Sequence, residues 1–350
     1  MALFDVSKEW VILLPPDAAQ AKKAAADLSR CIGLLAGLGG NRSPKAPAVL
    51  DASNSSPSEA VIVLNSEGNG PEQNGFLWRA APDRVEIFGE SGRGLCSGIY
   101  SFLAALGINW PAPGKEILPP APAGGSGAFP LSAGSAAEAS HHKGKDPAAL
   151  LRRFVPSDRK AVKYILKNSE AFVEWAARRR YDALILPLAA GRRLKQLRPY
   201  AAEYGIAVEA GGRSLSSLVP RKYFLIHRDF FRMEEGRRKM THHFCPTNPG
   251  VIRLIAREGK KLFQAAAEVQ VFHLWPDKGA ETIWCSCPSC RAFTPPEQNR
   301  IAVNTAADIL AELNPAACIS FFEKPGEGGN IPLRKNLFRM EEIPEEEDFE

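Results

Sequence analysis

The chain has 350 residues, 45% hydrophobic and 24% charged, and its 44 basic against 39 acidic side chains leave a formal charge of +5. That balance suits a soluble protein large enough for two domains and does not point to a nucleic-acid partner. Residues 1–30 lack the basic start, apolar run and cleavage site of a secretory leader, and no stretch is long enough to span a bilayer, so a cytoplasmic protein with no membrane partner is expected. Seven cysteines, an odd number, fit a reducing compartment better than a disulfide framework.

Residues 1–120 read as one small α/β domain. The run 10–16 (WVILLPP) is a short strand. Ala21, Ala25, Leu28, Ile32 and Leu35 then recur at helical spacing until Gly39 and Gly40 stop the helix. Strands are expected at 61–65 (VIVLN), 76–81 (FLWRAA) and 84–90 (RVEIFGE), the last two joined through Pro82-Asp83. A second helix opens at Gly92 and Gly94 and closes at Gly107. From 121 to 147 the composition turns to Pro, Ala, Gly and Ser with no apolar period, which cannot offset its ordering entropy, so this stretch is expected to be a linker. His141 and His142 within it read as solvated rather than metal-bound.

From 148 to 340 helices and strands alternate. Helices are expected at 169–180, 192–205, 248–268 and 299–314, and strands at 181–188, 206–212, 269–277 and 318–324, with a long insertion after the second of these strands. Such alternation means parallel strands with helical crossovers, and the fold class is a small α/β domain followed by a partial (β/α) TIM-type barrel. About five strands can be counted where a closed barrel takes eight. A fragment, a reduced fold, and a homo-oligomer or partner chain completing the barrel all fit that count. Residues 341–350 (EEIPEEEDFE) read as a solvated acidic tail or the edge of a truncation.

Two resemblances cover residues 10 to about 323. The stretch 85–119 resembles the closing strand and helix of the N-terminal domain of β-hexosaminidases and α-glucuronidases. Gly89, Arg93, Gly94, Gly98, Tyr100, Leu103, Gly107 and Trp110 match the pattern, and Pro113, Gly114, Glu116 and Pro119 match its exit into a barrel. The second half is similar to the bacterial family catalogued as domain of unknown function 4838. The matching features are Trp175, Gly211-Gly212, the stretch from Tyr223 to Arg238, Cys245 with Asn248-Pro249, and Asp277 ahead of Cys285, Cys287 and Cys290. The resemblances imply a glycoside-hydrolase-like fold and a carbohydrate as substrate or ligand, with no cofactor required.

In barrels of this kind the chemistry sits where the strands end. The β-hexosaminidase resemblance makes 269–277 (VQVFHLWPD) the fourth barrel strand, whose end carries an Asp-Glu pair in active enzymes: the Glu protonates the leaving oxygen and the Asp orients the acetamido group. Here the pair reads Asp277-Lys278, without the proton donor. Asp277 either faces a cleft or caps the next turn. Glu323, at the end of the last countable strand, is the candidate second carboxylate. Strand parity sets His273 and Trp275 on one face, where Trp275 can stack on a pyranose ring or simply fill core. Gly212 and Arg213 stand where related barrels put a histidine, and Arg213 would suit an acidic sugar. Cys245, Cys285, Cys287 and Cys290 are four thiols that can converge on a structural zinc or remain buried free thiols, with His242 and His243 as substitute ligands. Acid-assisted cleavage of an oligosaccharide and non-catalytic carbohydrate binding on a degenerate barrel are both compatible with these residues.

Overall fold

The computed structural model describes residues 3–16, 18–40, 45–52, 60–66, 74–122, 127–132, 135–138 and 151–349. His141, His142 and most of the Pro/Ala/Gly/Ser-rich stretch lie outside them. The N-terminal elements are β1 (Leu3–Asp5), β2 (Trp10–Leu14), α1 (Lys22–Leu38), β3 (Ala48–Asp51), β4 (Ala60–Ser66), β5 (Phe76–Ala81), β6 (Arg84–Gly89), α2 (Gly92–Ala105), β7 (Ala128–Pro130) and β8 (Ser135–Glu138). One sheet runs β3-β2-β4-β6-β5-β8. Its first four strands are parallel, and β5 is antiparallel to both β6 and β8.

Local sequence accounts for these elements. Along β2 the side chains of Trp10, Ile12 and Leu14 alternate inward, and Ala25, Leu28, Ile32 and Leu35 lie on the buried face of α1, with buried Ala21 as its N-cap. Pro82-Asp83 turns β5 back so that Ala81 faces Arg84. The Ser91 hydroxyl accepts the Gly94 N–H and caps α2. A side chain at Gly89 is excluded, because its Cβ would lie 2.1 Å from the Leu95 nitrogen. That close approach of strand and helix is what the glycine pattern encodes.

The later elements are β9 (Arg153–Pro156), α3 (Arg159–Lys167), α4 (Ser169–Arg178), β10 (Ala183–Leu186), α5 (Arg198–Glu203), β11 (Ala207–Ala210), β12 (Met233–Glu234), β13 (Arg237–Arg238), α6 (Pro249–Ala265), β14 (Val271–His273), α7 (Pro295–Leu313), β15 (Cys318–Phe322), β16 (Leu337–Met340) and β17 (Glu346–Glu347). A second sheet has the order β16-β15-β14-β11-β10-β9-β17. The pairs β9–β10, β11–β14, β14–β15 and β15–β16 are parallel, as the alternation of helices and strands predicts.

Three findings differ from the sequence reading. Among the described residues the sheet has seven strands rather than about five, with β9, β16 and β17 falling in none of the expected strand ranges. Within the stretch read as a linker, β7 pairs with β1 and β8 with β5, so the described parts are ordered by strand pairing that composition does not register. The acidic end is not a solvated tail: the Ser157 N–H donates to the Glu347 carbonyl at 3.2 Å, and the Phe349 ring lies among Phe154, Phe172 and Trp175 at centroid distances of 6.0, 5.4 and 5.8 Å. Backbone pairing and the Phe349 ring together outweigh the charge pattern there.

The chain divides into two compact units, residues 1–184 with 196–207 and 347–350, and residues 185–195 with 208–346. In the first, Phe4 stacks on Trp10 at 4.6 Å, and Trp78 meets Phe102 edge-on at 5.4 Å while its indole N–H donates to Ser101. In the second, α6 and α7 pack together and Phe263 meets Phe272 at 4.9 Å. Helix α7 opens with a capping box of Thr294 and Glu297, with Pro295 at its first position.

Candidate functional site at the carboxyl edge of the parallel sheet

Strands β11, β14 and β15 run in one direction, so the residues following each of them emerge at a common edge. Gly211 and Gly212 follow β11 with φ of +123° and +98°, and a Cβ at Gly211 would lie 2.1 Å from the His273 carbonyl oxygen. In place of side chains, the backbone pairs on past the strand ends: Gly212 N–H to the His273 carbonyl at 3.1 Å, Trp275 N–H to the Gly212 carbonyl at 2.9 Å, and Leu215 N–H to the Trp275 carbonyl at 3.2 Å. Gly212 is therefore a backbone element of the rim, and its glycine neighbour allows the crossing.

Beyond this crossing lies a charged cluster. Asp277 has a quarter of its side chain exposed; it accepts the Ser216 hydroxyl at 2.7 Å on one oxygen and faces Arg221 at 3.4 Å on the other. Its side chain does not cap the following turn, which is closed by the Ala280 N–H on the Asp277 carbonyl. Burial lowers the Arg221 pKa below its ordinary value, and the Asp277 charge opposes that shift. Arg213 donates to Glu281 at 2.9 Å and to the Pro276 carbonyl at 3.2 Å, and stands 3.9 Å from Glu346. Its charge is thus balanced by carboxylates of its own chain. Lys278 is exposed.

The remaining candidates lie deeper. His273 and Trp275 do share a face, as parity predicts, but both are fully buried. The His273 ring is bonded through Nδ1 to the Ser320 hydroxyl at 2.5 Å and through Nε2 to Glu209 at 2.8 Å, and the Trp275 indole N–H donates to the same hydroxyl at 2.9 Å. Trp275 has no ring face open to a sugar, so its reading as a stacking platform is corrected to core. Glu323 is also buried and is held by Arg300 through two contacts of 2.7 Å. The carboxylate in turn raises the Arg300 pKa above its ordinary value. A carboxylate locked in this way is a buried ion pair, not a free proton donor. Sequence reasoning missed Glu209, Ser320 and Arg300; polar residues in otherwise apolar strands were the available signal for the first two.

The four cysteines converge. The Sγ atoms of Cys245, Cys285, Cys287 and Cys290 all lie within 4.8 Å of one another, and all four residues are buried. Cys245 Sγ is 3.7 Å from that of Cys287 and 3.6 Å from that of Cys290. The Met233 N–H donates to Cys285 Sγ at 3.3 Å, Arg238 stands 3.8 Å from the same sulfur, and the Thr247 hydroxyl is 3.1 Å from Cys290 Sγ. Hydrogen bonds from Cys285 and Cys290 hold the Cys245 thiol well below its usual range, and the bond to Cys245 pushes Cys285 up. This donor set can bind a metal ion. The histidines do not join it: His243 donates Nε2–H to the Ala280 carbonyl at 2.9 Å and stacks on Trp284, and burial pushes its pKa down to about 4. Among the described residues the group consists of the four cysteines. Likewise among the described residues, no helix is long and apolar enough to cross a membrane.

No family model matches the chain, and no curated relative matches it. Solved structures do. The Flavobacterium johnsoniae chitobiase aligns over 97% of this chain and 52% of its own, with 13% identity and a TM-score of 0.55. A Streptomyces plicatus β-hexosaminidase in complex with its product GlcNAc aligns over 92% of this chain and 62% of its own, with 12% identity and a TM-score of 0.49. The Bacteroides fragilis β-N-acetylhexosaminidase aligns over 97% and 67%, with 14% identity and a TM-score of 0.48. The chain spans about half the length of the chitobiase. At this identity the likeness to the chitobiase is one of fold: a glycoside-hydrolase-like α/β architecture with a parallel sheet.

Proposed function

We propose that this chain is a glycoside-hydrolase-like protein that takes an oligosaccharide at the carboxyl edge of its parallel sheet, with Asp277 at the centre of the contact. The observation that carries the reading is the setting of Asp277: a partly exposed carboxylate past a strand end, held between a hydroxyl and a guanidinium. A carboxylate oriented in this way accepts sugar hydroxyl or amide N–H donors without moving. The resemblance of 85–119 to β-hexosaminidase N-terminal domains and the chitobiase-like fold support a carbohydrate as the ligand class. The similarity of the second half to domain of unknown function 4838 belongs to the same proposal. No cofactor takes part at Asp277, and a metal held by the four cysteines lies outside the chemistry.

Cleavage of a glycosidic bond would pass through an oxocarbenium-like state and needs a proton on the leaving oxygen. Two observations favour a second reading, binding without turnover: Lys278 stands beside Asp277 in place of an acid, and Glu323 is engaged by Arg300. Calorimetry with N-acetylglucosamine oligomers and a wider glycan set, together with aryl-glycoside turnover, tests both readings on wild type and Asp277→Asn. The proposal expects binding that Asp277→Asn weakens at least about tenfold, a loss of roughly 1.4 kcal/mol. Turnover unaffected by the substitution would remove Asp277 from the mechanism, and a chain that neither binds nor cleaves any glycan would overturn the carbohydrate reading.

A further inference from the structure

We propose that Cys245, Cys285, Cys287 and Cys290 bind one zinc ion as a tetrathiolate, and that this ion fixes the loop between β14 and α7 to the excursion between β11 and α6. The geometry is the first argument. In a tetrahedron with metal–sulfur bonds of about 2.3 Å, neighbouring sulfurs are about 3.8 Å apart. The measured Cys245 separations of 3.7 and 3.6 Å are close to that edge, and every Sγ pair falls within 4.8 Å. Disulfide sulfurs would sit at about 2.05 Å, and unligated side chains have no reason to point four sulfurs at one spot.

The donors around the cluster are the second argument. Four thiolates on a divalent ion leave a net charge of −2, which a buried site tolerates only when hydrogen bonds and cations answer it. The Met233 N–H and Arg238 both approach Cys285 Sγ, and the Thr247 hydroxyl reaches Cys290 Sγ. All-sulfur ligation by four side chains closes the coordination sphere, so the ion would be structural, with no open position for substrate. Each sulfur binds as a thiolate, so binding releases to solvent the protons of those still in the thiol form.

The placement gives the ion a task. Cys245 closes the excursion that follows β11, whereas the other three lie on the loop that begins at Asp277. Among the described residues, that loop contains no helix longer than a single 3-10 turn, Cys290–Ala292, before α7 begins. A metal crosslink supplies the rigidity that regular structure does not. This inference is independent of the carbohydrate proposal, since the metal content is read without any ligand.

The test is elemental analysis and X-ray absorption of the full chain purified under reducing conditions without chelator. About one zinc per chain, with a first shell of four sulfurs at about 2.3 Å, is expected. Replacement by Co(II) should give the intense visible bands of a tetrahedral thiolate site, lost in Cys290→Ser and kept in Cys318→Ser. Should Cys290→Ser fail to fold, the wild-type Co(II) spectrum still decides. Zinc removal should speed hydrogen exchange in 277–290 and 229–245. Less than roughly a tenth of an equivalent of zinc with no Co(II) spectrum on reconstitution, iron in the isolated site, nitrogen or oxygen in the first shell, or a disulfide within the group would each overturn the assignment.

Discussion

Replacing Glu323 by glutamine separates a structural carboxylate from a catalytic one. The side chain is 1% exposed, Arg300 is 13% exposed, and each Glu323 oxygen meets a guanidinium nitrogen at 2.7 Å. Breaking one side of a buried pair costs about 3–5 kcal/mol, because the other charge is left without its counter-ion. Arg300 keeps an acceptor in the Ile331 carbonyl at 3.0 Å and some access to water, and glutamine retains one acceptor oxygen, so the lower end applies. Urea unfolding followed by tryptophan fluorescence should show a loss of about 3 kcal/mol. The double variant Glu323→Leu with Arg300→Met should recover most of it, since apolar groups of similar volume replace a buried pair at little cost. An unfolding free energy within about 0.5 kcal/mol of wild type for Glu323→Gln, accompanied by lost turnover, would refute this reasoning and return Glu323 to the mechanism.

Gly211→Ala should destabilise the fold by more than about 3 kcal/mol, through left-handed backbone strain and the contact with the His273 carbonyl; thermal melting near the wild-type value would contradict the crossing described for β11 and β14. Trp275→Ala should cost about 3–5 kcal/mol by opening a cavity and leaving the Ser320 hydroxyl without the indole donor. If that variant instead keeps full stability and loses only ligand affinity, Trp275 is a sugar contact after all. Thr294→Ala removes the capping box of α7 and should lower stability by about 1 kcal/mol in denaturant titration.

Periodicity made the long elements legible. The stripe from Ala21 to Leu35 and the alternation from Trp10 to Leu14 specify which face is buried, because one face of each must leave water. Short strands such as Leu3–Asp5 and Glu346–Glu347 carry no such signal; partners distant in the chain decide them. Parity paired His273 with Trp275 but gave no sign that both faces of this strand are dry, Phe272 and Leu274 being as buried as the polar pair that Glu209 and Ser320 satisfy. The strand-end position of Glu323 was readable, whereas Arg300, its partner from a helix, was not. Three of the four thiols are marked by their close spacing, whereas distant Cys245 carries no spacing signal and stood out only within the resemblance, beside Asn248-Pro249.

The anchoring of residues 347–349 bears on how the first unit assembles. Ser157 and Asp348 are hydrogen-bonded although 191 positions apart, and Phe349 completes a ring cluster begun at Phe154. Closing so long an excursion adds little to the equilibrium cost, since each doubling of loop length takes only about 0.6 kcal/mol, but distant contacts slow the search for them. During synthesis Phe154, Phe172 and Trp175 must therefore wait, one neighbour short, until Phe349 has been translated. A ribosome-bound precursor stalled before Glu346 would present that unfilled aromatic nest to chaperones.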